Sequence, residues 1–312
     1  MKKTKKHNQK GGKNKSIKYK YLITKNNFKN KNKNIPFICS PRQEQNNFTC
    51  FSKKALKKII EQYNSNNNDK ISVKESMNKH ELWNNINNKL KSKCDTEYCW
   101  IKQRFLNTSS KSLNKYFKPK KPKKWSKNKN EWLTTIDIED VLNQYEKKFP
   151  EFYFVGAVPI DFDKKLSLGE CVINELCNIS LKSLLNKNKN KIGVVFNLDK
   201  HDEPGSHWVS FFVDLTKDEI YYFDSYGVDE PQEVTELMNR LKEQGNKLGR
   251  NIKLFTNQTR HQFKNSECGI YSINFIVRLL EGENYKDISN NIIKDDEIER
   301  FRNIFFIDDE IN

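Results

Sequence analysis

The stretch from His207 to Asp224 leaves a chain few conformational choices. His207-Trp208-Val209-Ser210-Phe211-Phe212-Val213 and Glu219-Ile220-Tyr221-Tyr222-Phe223-Asp224 are dense in aromatic and β-branched residues, and Leu215-Thr216-Lys217-Asp218 lies between them. Two such runs around a short turn read as a β-hairpin. Folding it about the midpoint of 207 and 224 sets His207 opposite Asp224, Val209 opposite Tyr222 and Phe211 opposite Ile220. The imidazole and the carboxylate then leave one face at the open end of the hairpin, within hydrogen-bonding reach. A slip of one residue would send them to opposite faces. The plainer alternative is a surface His and Asp at two strand ends.

Cys268 supplies a use for that pair. Ile270, Ile273, Val277 and Leu280 recur at helical spacing, which predicts an amphipathic helix over 267–281 with Cys268 in its first turn. Backbone N–H groups there lack intrahelical partners, and the positive end of the helix dipole favours a thiolate. The same groups can stabilise an oxyanion on an attacked carbonyl. Gly269, without a side chain, would let a substrate backbone approach. Against this stands the common case of a cysteine buried and inert beside an apolar helix. A base and an orienter are what a cysteine nucleophile requires, and His207 and Asp224 are suited to both roles.

His207-Trp208, then Asp224-Ser225-Tyr226-Gly227, then Gln262 ahead of Cys268-Gly269-Ile270-Tyr271 resembles the SUMO-protease and adenovirus-protease superfamily of cysteine peptidases. The resemblance spans roughly 131–285. It implies Cys268 as nucleophile, His207 as general base and then acid, Asp224 as orienter, and Gln262 as an oxyanion-hole donor beside the Cys268 N–H. It also implies that Trp132 and Trp208 wall a flat slot that favours Gly-Gly ahead of the cut. The segment from Gln262 to Cys268, with Phe263 and Glu267, departs from the family's Gln-x-Asn-x-x-Asp-Cys-Gly pattern, and that bears on the shape of the loop. The fold expected is α+β: a papain-like-related peptidase with a mostly antiparallel sheet flanked by helices, the nucleophile at the N-terminus of a central helix, and a small helical N-terminal domain.

Charge divides the chain. Lys and Arg number 57 against 40 acidic residues, a net charge of +17. Residues 1–34 hold 13 Lys and 111–130 hold 9, neither with an acid, whereas 131–312 carries 22 basic and 33 acidic residues. The predicted organisation is a disordered Lys-rich tail over 1–34, a helical domain over 35–110, a stiff basic linker over 111–130 extended by its prolines, and a peptidase domain over 131–312. The two Lys-rich segments suit contact with DNA or RNA. Trp125 could stack on a base, though packing at the domain edge is the simpler role. No apolar run reaches the ~18 residues of a membrane span, and no signal-peptide core is visible.

Seven cysteines are an odd number without the density of a disulfide scaffold, which predicts a reducing compartment. Cys94 and Cys99 lack a second tight Cys/His pair, so structural thiols are expected there rather than zinc, and Cys171 and Cys177 are expected as core thiols of a helix over 169–185. No cofactor or metal is predicted. In the helical region Ser52 caps a helix with Ala55, Leu56, Ile59 and Ile60 inward, and a second helix over 78–91 buries Leu82, Trp83, Ile86 and Leu90. With Cys-Asp-Thr-Glu-Tyr-Cys-Trp, this region resembles the amino-terminal domain of core-protein proteases of large DNA viruses (poxvirus, African swine fever virus, giant viruses).

The function these readings predict is a cysteine endopeptidase that cuts viral structural precursors after Gly-Gly-x sequences, in the virion and the host cytoplasm (the viral factory). The alternatives are an isopeptidase for SUMO or ubiquitin-like tags, and a catalytically dead nucleic-acid scaffold. Gly11-Gly12-Lys13 resembles a site for self-trimming.

Overall fold

The structure is a computed structural model and describes residues 38–43, 48–106, 110–128 and 130–308. The Lys-rich segment 1–34, and with it the self-trimming expectation at Gly11-Gly12-Lys13, lies outside the described residues.

The aromatic and β-branched runs become one sheet of five strands: β1 (Phe152–Pro159), β2 (Lys191–Asn197), β3 (Trp208–Asp214), β4 (Glu219–Phe223) and β5 (Lys253–Thr256), in that spatial order. The fold is α+β, but the sheet is mixed rather than mostly antiparallel. The pairings β2–β3 and β3–β4 are antiparallel, whereas β1–β2 and β4–β5 at the two edges are parallel. Topology is the reason: about thirty residues or fewer separate the strands of each edge pair, enough for the crossover that parallel strands need.

Every residue of β3 is buried, because the sheet is covered on both faces. Phe212, Tyr221 and Phe223 pack on one side with α5 (Thr135–Lys148) and α9 (Cys268–Leu280); Phe211, Val213, Ile220 and Tyr222 pack on the other with Val234, Leu237, Met238 and Leu241 of α8 (Gln232–Lys247). The alternation of neighbours along β3 and β4 is the period of two that a pleated strand imposes. Helix α5 begins at a capping box, Thr134 with Asp137.

The hairpin register differs from the predicted one by two residues. Phe211 pairs with Tyr222 and Val213 with Ile220, so the strands turn one residue later than the midpoint of 207 and 224. The turn explains it: Asp214 pairs with Glu219, and Asp218 takes a positive φ of 52°. A shift of two keeps every side chain on its predicted face.

The helix expected over 169–185 is replaced by two short helices, α6 (Asn174–Cys177) and α7 (Leu181–Asn186). Ser180 caps α7 through its side chain, and Gln244 of α8 accepts the Leu181 N–H and donates to the Ile179 carbonyl, so tertiary bonds hold the break open.

In the amino-terminal region α1 (Lys53–Asn66) is capped by Ser52 and buries Ala55, Leu56, Ile59 and Ile60; α2 (Lys79–Leu90) buries Leu82, Ile86 and Leu90, while Trp83 is half-buried and donates its indole N–H to Glu97. The Cys-rich segment supplies α3 (Glu97–Ile101), and α4 (Ser110–Asn114) follows. This apolar cluster extends to Leu113, Phe117 and the distant Ile307.

Residues 111–130 are therefore not an extended spacer. Phe117 and Trp125 are buried, Cys39 bridges Phe117, and Lys120 bridges Ile307. Burial of two large rings outweighs the mutual repulsion of the lysines around them, most of which stay at least partly exposed.

Six of the seven cysteines are paired as disulfides, Cys39–Cys50, Cys94–Cys99 and Cys171–Cys177, with Cα atoms 5.1, 5.4 and 6.3 Å apart. This corrects the reading of these six as free structural thiols. Sparse cysteines still pair when the partners lie 11, 5 and 6 residues apart and the local fold brings them together. Cys268 alone remains a free thiol.

Candidate active site

His207 stands immediately before β3 and Asp224 immediately after β4. His207 Nε2 lies 2.6 Å from Asp224 Oδ1, an oxygen that also accepts the Tyr226 N–H at 2.9 Å. Asn257, itself buried, donates to the Asp224 carbonyl at 2.8 Å. In the observed register the position across from His207 falls to Tyr226, and the two rings stack with centroids 4.6 Å apart. Gly227 closes this turn at φ 72°; a Cβ there would sit 2.8 Å from the Arg260 nitrogen, so only glycine lets the 258–260 backbone run alongside.

That neighbouring backbone carries the other half of the site. The N–H groups of His261 and Gln262 both donate to the Ser225 carbonyl at 2.8 Å, and Ser225 Oγ donates to Gln262 Oε1 at 2.7 Å. Gln262 Nε2 donates to the Lys264 carbonyl at 2.7 Å, which leaves its second N–H for another acceptor. Asp295, from the C-terminal segment, accepts the Phe263 and Lys264 N–H groups at 2.9 and 3.1 Å. The His261 side chain turns away from Cys268: it is buried against Phe223, its Nε2 is 3.0 Å from the Ser289 carbonyl, and burial holds its pKa below the usual value.

Glu267 occupies the N-cap position of α9 but makes no side-chain cap. Its carboxylate is taken by Arg302, whose Nε and Nη2 reach it at 2.9 Å, and both residues are buried. The N–H groups of the first turn, where Cys268 sits, are thus not capped by it. The Tyr271 hydroxyl donates to the Ile293 carbonyl at 2.8 Å, tying the same helix to the C-terminal segment.

Electrostatics link the two halves. Burial acts to lower the His207 pKa, but hydrogen bonds to Asp224 on one nitrogen and to the Cys268 sulfur outweigh it and push the value from 6.5 up to about 9. With Nε2 committed to Asp224, Nδ1 is the nitrogen left for the sulfur. A value near 9 makes the ring an imidazolium at neutral pH.

The Ulp1 protease family, C-terminal catalytic domain, matches residues 175–312. A protein of Acanthamoeba polyphaga mimivirus that carries a thiol protease name is 32% identical over 292 residues, covering 86% of this chain and 93% of its own length. A cysteine protease of African swine fever virus is 29% identical over 231 residues, covering 68% of this chain and 83% of that one. This chain belongs to the Ulp1 family of cysteine proteases. The crystal structure of the African swine fever virus protease superposes with a TM-score of 0.65 at 23% identity, over 88% of this chain and 97% of that one, so the similarity of fold extends to the amino-terminal region.

Within this Ulp1-type site, two residues sit differently from the sequence reading. A Cβ on Gly269 would come 3.0 Å from Leu133 Cβ and 3.4 Å from Trp208, so its missing side chain serves helix packing rather than substrate approach. Trp208 is 5% exposed and donates its indole N–H to the Leu133 carbonyl at 2.9 Å, which makes it a buried support; Trp132, 40% exposed, is the indole open to a substrate. Residues the sequence did not single out are Asn257, Asp295 and Arg302. Their types carry no motif, and their partners lie 31 to 35 residues away in sequence.

Proposed function

We propose that this protease hydrolyses peptide bonds by thiolate attack with Cys268, His207 and Asp224, and that its substrates are viral structural precursors cut after Gly-Gly-x sequences. The single observation that carries the reading is His207, which lies 2.6 Å from Asp224 and whose pKa is raised by both Asp224 and the free thiol of Cys268. Cys268 Sγ attacks the scissile carbonyl carbon, and the oxyanion is held by the Cys268 N–H and the free N–H of Gln262. His207 passes its proton to the leaving amine as the C–N bond breaks. Water then gives a proton to His207 and attacks the thioester, releasing the acid and the thiolate.

The exposed indole of Trp132, next in the chain to the Leu133 whose carbonyl holds Trp208, supports a preference for glycine, which brings no side chain against the ring. Localisation in the virion and viral factory belongs to the same reading. A Gly-Gly-x peptide should be cleaved, and Cys268→Ala should lower the rate by roughly 10⁴-fold or more; undiminished cleavage by the variant ends the proposal. Removal of SUMO or ubiquitin-like tags is the second reading, favoured by the family the chain belongs to, and parallel assays on a conjugate and a viral precursor separate the two.

Nucleic acid is proposed as a further partner of the exposed lysines in 111–130, among them Lys115, Lys120 and Lys124. Changing those three to Gln should flatten the salt slope of oligonucleotide binding by about 2–3; an unchanged slope removes the segment from that role.

A further inference from the structure

A cleft of about 930 Å³ lies between the segment 121–127 and the C-terminal residues 299–308, with Arg302 in its lining. Lys121, Lys123, Lys127, Trp125 and Arg302 line it, opposed by Glu299 and Asp308. Lys121 is paired with Asp308 at 2.6 Å; Lys123 and Lys127 have no carboxylate partner among the described residues.

Two donors in this lining are unsatisfied. Arg302 is 5% exposed and Trp125 6% exposed, yet Arg302 Nη1 and Trp125 Nε1 are buried without an acceptor. The guanidinium lies over the indole, 4.4 Å from the ring centroid, so the two orphan donors belong to one packed unit. Buried donors left unpaired cost free energy, and a native structure retains them where something else supplies the acceptor. Two free ammonium groups at the rim, and two orphan N–H groups buried within residues of the lining, call for a ligand with several oxygens and more than one negative charge.

We infer that this cleft binds a compact phosphate-rich anion, and that its occupancy reaches Cys268 through Arg302 and Glu267. Phosphate fits better than a single carboxylate because planar guanidinium and clustered ammonium groups match its several acceptors and its charge. The link to the nucleophile is short. Arg302 holds Glu267 through two nitrogens, Arg302 Nη2 also reaches the Ser266 carbonyl at 3.4 Å, and Cys268 is the next residue in the chain. A phosphate that claims Arg302 Nη1 weakens or re-aims the bond to Glu267 and so changes the start of α9. Binding stands independently of the proposed substrates; only its effect on the sulfur touches that reading.

The test titrates sodium tripolyphosphate into the full chain by calorimetry at low salt, with the alkylation rate of the single free thiol as a second readout. Because Arg302 variants risk unfolding, the cleft is altered at its rim with Lys123→Gln plus Lys127→Gln. Saturable binding that this double variant weakens roughly tenfold or more is expected, whereas Lys2, Lys3, Lys5 and Lys6→Gln in the tail should leave it unchanged. Saturation should change the alkylation rate about threefold or more in the native chain and not in the double variant, a shift of the size such coupling produces. No saturable binding, equal binding by the double variant, or an alkylation rate indifferent to saturation overturns the inference. A short single-stranded oligodeoxynucleotide distinguishes the source: displacement of tripolyphosphate assigns the cleft to nucleic-acid phosphate, and failure to displace assigns it to a free polyphosphate.

Discussion

The two halves of the site are held in different ways. His207 and Asp224 cap the ends of β3 and β4, where a ladder of backbone bonds fixes the separation of the strands. Gln262 and Cys268 ride on a segment without a ladder, held by the Ser225 carbonyl and by side chains from elsewhere, those of Ser225, Asp295 and Arg302. Backbone pairing is set by local pattern and tolerates side-chain change, whereas a side-chain cradle depends on each member. The first half should therefore fail chemically when altered, and the second structurally.

The largest effect is expected in the laddered half. Asp224→Asn keeps the shape but removes the charge that favours the imidazolium, and cleavage should fall by about 10²–10⁴-fold with little loss of thermal stability. The same substitution should move the alkaline limb of the pH–rate profile. In the native chain that limb is expected near pH 9, where His207 loses its proton, and in Asp224→Asn it should lie lower. The sign for stability agrees: the folded pKa is above 6.5, so the His207 contribution is full below that value and is lost as the pH rises through about 9. An unmoved limb in the variant would assign it to another group.

A smaller effect on chemistry, with a larger one on the fold, is expected in the cradled half. Arg302→Ala strands a buried Glu267 carboxylate and should cost about 3–5 kcal/mol in denaturant unfolding, whereas Glu267→Leu with Arg302→Met should recover most of it. Equal loss in both variants would mean that the pair is more than a buried charge match.

The smallest effect belongs to Tyr226, which touches both halves: its ring stacks on His207 and its hydroxyl donates to the Lys264 carbonyl at 3.3 Å. Tyr226→Phe should be near neutral and Tyr226→Ala should lower kcat/KM by roughly tenfold at most, the worth of one aromatic pair. If Phe behaves as Ala does, the hydroxyl rather than the stack is what positions His207.

How much of this was legible beforehand follows the same division. Strands β3 and β4, helix α9 and the faces of His207 and Asp224 follow from apolar spacing, and the two-residue error in register left the two side chains on the same face. The two parallel edge pairings, the break after Cys177 and the packing of Phe117 and Trp125 did not follow, because each depends on a partner distant in sequence. The disulfides escaped for another reason: cysteine count and spacing do not report Cα separation, which only the folded backbone sets.

The sequence by itself determined which residue types could meet, since periods of two and of 3.6 residues dictate faces without any knowledge of neighbours. Tertiary structure alone decided what Glu267, Gly269 and Trp208 do. Glu267 became half of a buried ion pair, Gly269 a packing contact and Trp208 a support. A side chain's surroundings are a property of the three-dimensional arrangement, and residues brought together across the chain leave no periodic mark in the order of amino acids.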